Sequence, residues 1–254
     1  MKMSAIERSE QSFAERIEAG SIKAHSPVEK LLLCEYGAMF VADGVTPPPF
    51  VVFPDAESVD IFQTITPHTN AVIGGIEFTL QTEAMTSLVA AVEQARATGF
   101  CISPRGPDSA ARDYPDTVTL WESRVEPALD YWLREGRISA EIAERIRRSE
   151  PFDQVPIVLE LEQDGIYFAK DLSKSIIYSV APPGASQHLA MLAFDVAEFD
   201  EPEVRSVLAS NGWFQTVTSD LPHFTYLGVD EHELSGRGLK RVESGGRVFW
   251  IPDL

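Results

Sequence analysis

The groups most able to do chemistry fall between Ser186 and Tyr226: His188 in Ser186-Gln187-His188, Asp195 in Leu192-Ala193-Phe194-Asp195-Val196, and both Asp220 and His223 in Asp220-Leu221-Pro222-His223. Two neutral imidazole nitrogens and one carboxylate oxygen fill three corners of a zinc tetrahedron. The fourth corner stays open for water, which is the arrangement of a catalytic rather than a structural site. Asp220, three residues before the second His, is then placed to take a proton from that water. The spacing points to one Zn²⁺ per chain on His188, Asp195 and His223, with Asp220 as the base of a hydrolase.

The elements around these residues must bring them together. His188 and Asp195 are an odd number of positions apart, so a single regular strand would point them to opposite faces. His188 is therefore expected in the turn after Pro182-Pro183-Gly184, and Asp195 in a strand over Leu192–Val196. Asp195 lies in an apolar run, where an unpaired carboxylate is costly and a metal would offset the cost. His223 follows Pro222 and opens a strand, with Asp220 in a tight turn behind it. Other chemistries find less support. His232 in Asp230-Glu231-His232-Glu233 has no second His four residues on, which excludes a zincin helix. Ser186, His188 and Asp195 could form an acyl-transfer set in principle, but no Gly-x-Ser-x-Gly elbow accompanies them. His25 and His68 read as loop residues, and no phosphate-binding Gly loop or dinucleotide fingerprint is present.

A Ser two residues before the first His, an Asp seven after it, and an acidic residue three before a later His resemble the VanY-like family of zinc peptidases, which cut bacterial cell-wall peptides. The similarity extends upstream, where an apolar helix over Val89–Gly99, a strand over Phe100–Ser103 and then Arg105 stand where that family has a helix, a strand and a Ser-Gly-Tyr-Arg turn. It covers about residues 75–228. The resemblance implies an antiparallel α+β zinc peptidase core like that of hedgehog domains and DD-peptidases, with Arg105 steadying the oxyanion or a substrate carboxylate. Ser186 and Tyr226 would contact substrate, and the substrate would be a peptidoglycan-derived peptide, cut as by a D-alanyl-D-alanine carboxypeptidase. The chain departs from the pattern at three places. Asp220-Leu221-Pro222-His223-Phe224 replaces the usual Glu and is closer to the L-alanyl-D-glutamate endopeptidase branch. Met191 stands where Gly is usual, and Ser103-Pro104-Arg105-Gly106 is one residue shorter than the family turn, which makes Arg112 a competitor for Arg105. A cytoplasmic D-Ala-D-Ala dipeptidase and a non-catalytic zinc-binding domain of the same fold are the alternative readings.

Length and composition frame this. The 254 residues carry a net charge of −18 and an apolar fraction of 44%, enough for a core and opposed to nucleic acid as a partner. No stretch approaches the ~20 apolar residues of a membrane span, and the N-terminus lacks the apolar run of a signal peptide. Oligomeric state is not legible. Cys34 and Cys101 sit in apolar surroundings and are expected to be buried free thiols. Residues 1–70 read as an N-terminal extension of unassigned role, and 71–254 as the peptidase domain.

Local patterns place helices at Glu7–Ala19, Ser58–Thr64, Thr82–Thr98, Asp116–Arg134, Ala140–Ser149 and Glu203–Ala209. Leu31–Ala42 fits either a buried strand or a short helix. Strands are expected at Phe50–Phe53, Phe100–Ser103, Ser175–Val180, Leu192–Val196, Trp213–Val217 and His223–Val229. A hairpin about Ser244-Gly245-Gly246 closes the chain. Helices followed mainly by strands argue for α+β with an antiparallel sheet and flanking helices.

Overall fold

Three small antiparallel sheets set among eight α-helices make this an α+β protein, described over residues 12–254 in a computed structural model. Helix α1 (Phe13–Ala19) is entered through a capping box between Ser12 and Glu15 and stops at Gly20; the first residues of the helix expected there lie outside the described residues. Leu31–Ala42 resolves as the end of α2 (Pro27–Tyr36) and a 3₁₀ turn, Gly37–Val41. Helix α3 (Ala56–Ile65) begins on the Asp55 cap. A hairpin of β1 (His68–Ile73) and β2 (Ile76–Gln81) then leads into α4 (Thr82–Ala97). The long α5 (Tyr114–Arg134) starts on an Asp113/Asp116 capping box and buries Trp121, Val125, Leu129 and Trp132 along one face. Helices α6 (Ala140–Arg148) and α7 (Gln154–Gln163) pack beside it.

The site sheet has the order β3-β5-β4, from β3 (Ala193–Asp195), β5 (His223–Tyr226) and β4 (Trp213–Phe214), with α8 (Pro202–Ser210) between β3 and β4 in sequence. The C-terminal hairpin of β6 (Leu239–Ser244) and β7 (Arg247–Pro252) turns on Gly245-Gly246, both at positive φ.

Four strand expectations are corrected. Phe50–Phe53 bends without a ladder partner, its Phe53 N–H donating instead to the Gly184 carbonyl. Phe100–Ser103 forms no strand because Glu198 takes the Ser103 N–H, leaving only a bridge from Pro104 to Val196. Ser175–Val180 coils into a 3₁₀ turn closed by local bonds such as Ser179 N–H to Ile176 O. Trp213–Val217 pairs over two residues only.

The side chains gather in two cores. One joins Leu32 and Leu33 of α2 to Trp121 and Leu129 of α5, Val155 and Val158 of α7, and Trp250 of β7. The other joins Phe53 and Phe62 to Phe78, Leu88, Phe194, Trp213 and Phe224. Residues on both sides of position 70 thus share each core. Truncating Leu88 or Leu129 to Ala would cost about 2–5 kcal/mol, more than a helix cap supplies, so packing holds these helices in place. Both cysteines are free. Cys34 is half-buried, while Cys101 is exposed, contrary to expectation, because its segment never joins a sheet. Among the described residues no helix is long and apolar enough to cross a membrane.

Candidate metal centre

Sheet register makes the first link of the site. β3 and β5 pair so that Asp195 stands directly opposite His223. Along β5 successive side chains alternate between faces. His223 and Thr225 therefore share one face, while Phe224 and Tyr226 turn to the other and enter the second core. Tyr226 packs against Trp213 with ring centroids 5.4 Å apart and is not among the residues lining the cavity.

His188 arrives from the turn that the prolines predict, a 3₁₀ segment over Gln187–Ala190. Ser186 starts it, its hydroxyl accepting the His188 N–H at 3.4 Å. Met191 ends it at φ 56°, in the left-handed region, and donates its own N–H back to the His188 carbonyl. That conformation costs a non-glycine residue about 1–2 kcal/mol. Met191 is buried, however, and a buried Met is worth about 2–5 kcal/mol over Ala. Packing outweighs strain, which accounts for Met at a position whose backbone is that of a glycine.

His188, Asp195 and His223 bring one ligand atom each to within 4.8 Å of the others. Asp195 Oδ1 lies 3.4 Å from His188 Nε2 and 3.2 Å from His223 Nδ1. Each of the three is held from behind. His188 Nδ1 sits 2.7 Å from the Ala110 carbonyl, which can only accept, so Nδ1 carries the proton and Nε2 a lone pair. Gln187 fixes the other ring. Its Nε2 donates to the Tyr36 carbonyl at 2.8 Å, which orients the amide so that Oε1 faces His223 Nε2 at 2.8 Å. His223 Nε2 must then be the donor, and Nδ1 is the nitrogen turned toward Asp195. Arg112 Nη2 donates to Asp195 Oδ2 at 2.8 Å and leaves Oδ1 pointing inward.

Burial holds His188 below the ordinary histidine pKa, with the Arg112 charge and His223 adding to the effect against the pull of Asp195. Burial would raise Asp195, but His188 and His223 beside it hold its carboxyl well below the usual range. Two ring nitrogens and a carboxylate oxygen thus converge on one point. A cation fits this point: the donor set is N₂O, and each histidine already has the backing partner that metal-binding imidazoles use.

Above the three ligands opens a cavity of about 440 Å³. Arg105, Asp108, Ser109 and Arg112 form one wall; Thr117, Leu120 and Arg124 of α5 form another with Ser179–Ala181. Tyr36, Ser219 and Asp220 complete the opening. Ser186, Arg105 and Asp220 all line the cavity. Arg105 is tied to the site through its backbone, whose N–H donates to the Asp195 carbonyl at 3.0 Å, while its side chain is exposed. Arg112, the competing arginine, is the one that grips the ligand carboxylate. Asp220 is exposed, and its carboxylate is not one of the atoms gathered within 4.8 Å. Gln187, Ala110 and Arg124 were not anticipated. Gln187 had only its place between Ser186 and His188 to mark it, and a backbone carbonyl such as that of Ala110 leaves no mark in a sequence.

Compared with known proteins, the chain matches no family model, no curated protein and no solved structure. The site is therefore read from its own atoms.

Proposed function

We propose that this chain is a zinc-dependent peptidase of the D-alanyl-D-alanine carboxypeptidase type, acting on peptidoglycan stem peptides, with a hedgehog/DD-peptidase-like core. One observation carries the reading: a ring nitrogen each from His188 and His223 and a carboxylate oxygen of Asp195 lie within 4.8 Å of one another. Two nitrogens and one oxygen on separate elements are a catalytic zinc set. Zinc would supply a Lewis acid that polarises the scissile carbonyl and acidifies water. His188, Asp195 and His223 hold it. Asp220, at the opening, takes the proton of the attacking water and returns it to the leaving amine. Arg105 offers a guanidinium to the developing oxyanion, and Ser186 fixes the turn that carries His188. The cavity volume falls in the range of small-ligand sites and suits the end of a peptide.

The second reading is a zinc-binding domain of the same fold without peptidase activity, which the exposed position of Asp220 favours. Metal analysis of wild type and His188→Ala is the first test. About one zinc per chain, lost in the variant, supports the centre; no zinc in either after reconstitution removes the reading. A panel of acyl-D-Ala-D-Ala, L-Ala-D-Glu peptides and free D-Ala-D-Ala then separates carboxypeptidase, endopeptidase and dipeptidase. Zinc without hydrolysis of any member leaves the binding domain.

A further inference from the structure

Among the described residues, Arg112, Arg147, Arg148, Arg237, Arg241 and Arg247 form salt bridges to carboxylates. Arg112 is the paired arginine of the cavity, bonded to Asp195 and 3.8 Å from Asp108. Arg124 lines the same cavity but forms no salt bridge among the described residues. Its half-buried guanidinium lies one helical turn beyond Leu120 on the cavity face of α5. Nε donates to the Ser179 hydroxyl at 3.1 Å and Nη1 to the Ser123 hydroxyl at 2.8 Å. Those neutral acceptors steady the plane of the group and leave its charge without a counter-ion among the described residues. The remaining Nη2 makes no hydrogen bond to them. A partly desolvated arginine held in one orientation is built to meet a planar anion through paired N–H bonds.

We infer that Arg124 binds a carboxylate of the substrate and so sets which peptides the centre accepts. The inference rests on the peptidase reading and adds to it the requirement for an anionic group beyond the scissile bond. Two sources of that group exist in D-amino-acid peptides: the terminal carboxylate of a chain ending in D-Ala, or the free carboxylate of a D-Glu residue.

The test uses the zinc-loaded full chain, wild type, Arg124→Leu and Arg124→Lys, with four probes: acyl-Lys-D-Ala-D-Ala and its C-terminal amide, and an L-Ala-D-Glu peptide with its carboxylates free or amidated. Arg124→Leu is expected to raise KM for the accepted carboxylate probe about 10- to 150-fold, as loss of a hydrogen bond to a charged group does. It should leave the matching amide and the zinc content unchanged, and Arg124→Lys should recover part of the loss. Whichever acid shows the effect names the source. Equal effects on acid and amide, or none on either, overturn the assignment. If wild type cleaves nothing, calorimetric binding of the same four probes decides. Carboxylate-dependent binding lost in Arg124→Leu upholds Arg124 while the peptidase reading fails; binding that ignores the carboxylate, or no binding at all, overturns both.

Discussion

The floor of the cavity and its rim are built differently. On the floor each of the three converging side chains has a second partner: Ala110 behind His188, Gln187 behind His223, Arg112 behind Asp195. At the rim Arg105 and Asp220 are exposed, and their side chains make no hydrogen bond to the described residues. A floor locked in this way keeps its geometry whether or not substrate is present. A rim of free side chains takes its geometry from the substrate. Changes on the floor should therefore alter metal content and stability, and changes at the rim should alter turnover alone.

The sharpest break in that contrast comes from Asp195→Leu. It removes a ligand and leaves the Arg112 guanidinium, only 13% exposed, without its main partner. Zinc should fall from about one per chain to none. The fold should lose about 3 kcal/mol, the low end for breaking a buried pair, because Asp108 remains 3.8 Å away. Metal analysis and denaturant unfolding read both effects; retained zinc would sink the ligand assignment. Asp220→Ala probes the rim. A general base contributes about 10²–10⁴ in rate, so kcat should drop by that factor while zinc content and Tm stay put. A variant that loses zinc instead would make Asp220 part of the floor. Gln187→Leu tests the locking itself. His223 would lose the acceptor that fixes its protonated nitrogen, and zinc affinity should weaken about 10- to 100-fold. Competition with a chelator measures this, and an unchanged affinity would show that the sheet register alone positions the ring.

Much of the floor was legible in the sequence, and its reasons are particular. His188, Asp195 and His223 could be named because their side-chain chemistry is rare in apolar runs, and because the odd spacing forced a turn followed by a strand. Helices α4, α5 and α6 followed from sustained periodicity and caps such as Ser139, whose hydroxyl accepts the Ile142 N–H. The hairpin of β1 and β2 was missed although Gly74-Gly75 between Ile73 and Ile76 carries the same turn signature as Gly245-Gly246. Ser175–Val180 was misread because a short apolar run fits a strand or a coil equally well. What holds the ligands was out of reach. Gln187 meets the Tyr36 carbonyl across 151 positions, a contact that no local pattern encodes.

Two buried carboxylates extend the comparison from the floor to the wall. Asp195 has a partner at each oxygen and is held well below the usual range. Glu162, at the end of α7, accepts the Phe168 and Ile176 N–H groups on Oε1, while its buried Oε2 has no partner. Burial raises its carboxyl, against the lowering pull first of the Ser175 side chain and then of those two N–H groups. An acid whose folded pKa lies above its unfolded value binds more protons when folded. Its contribution to stability is therefore lost as pH rises through that window. Glu162→Gln keeps an acceptor for both N–H groups and removes the charge. The Tm of the variant minus that of wild type should be larger at about pH 8 than at about pH 4, since only wild type ionises there. Any pH effect common to both chains cancels in the difference. A difference that stays flat with pH would mean Glu162 is solvated well enough to behave as an ordinary carboxylate. The segment from Phe168 to Ser179, which carries the hydroxyl that steadies Arg124, would then be more open to water than its packing implies.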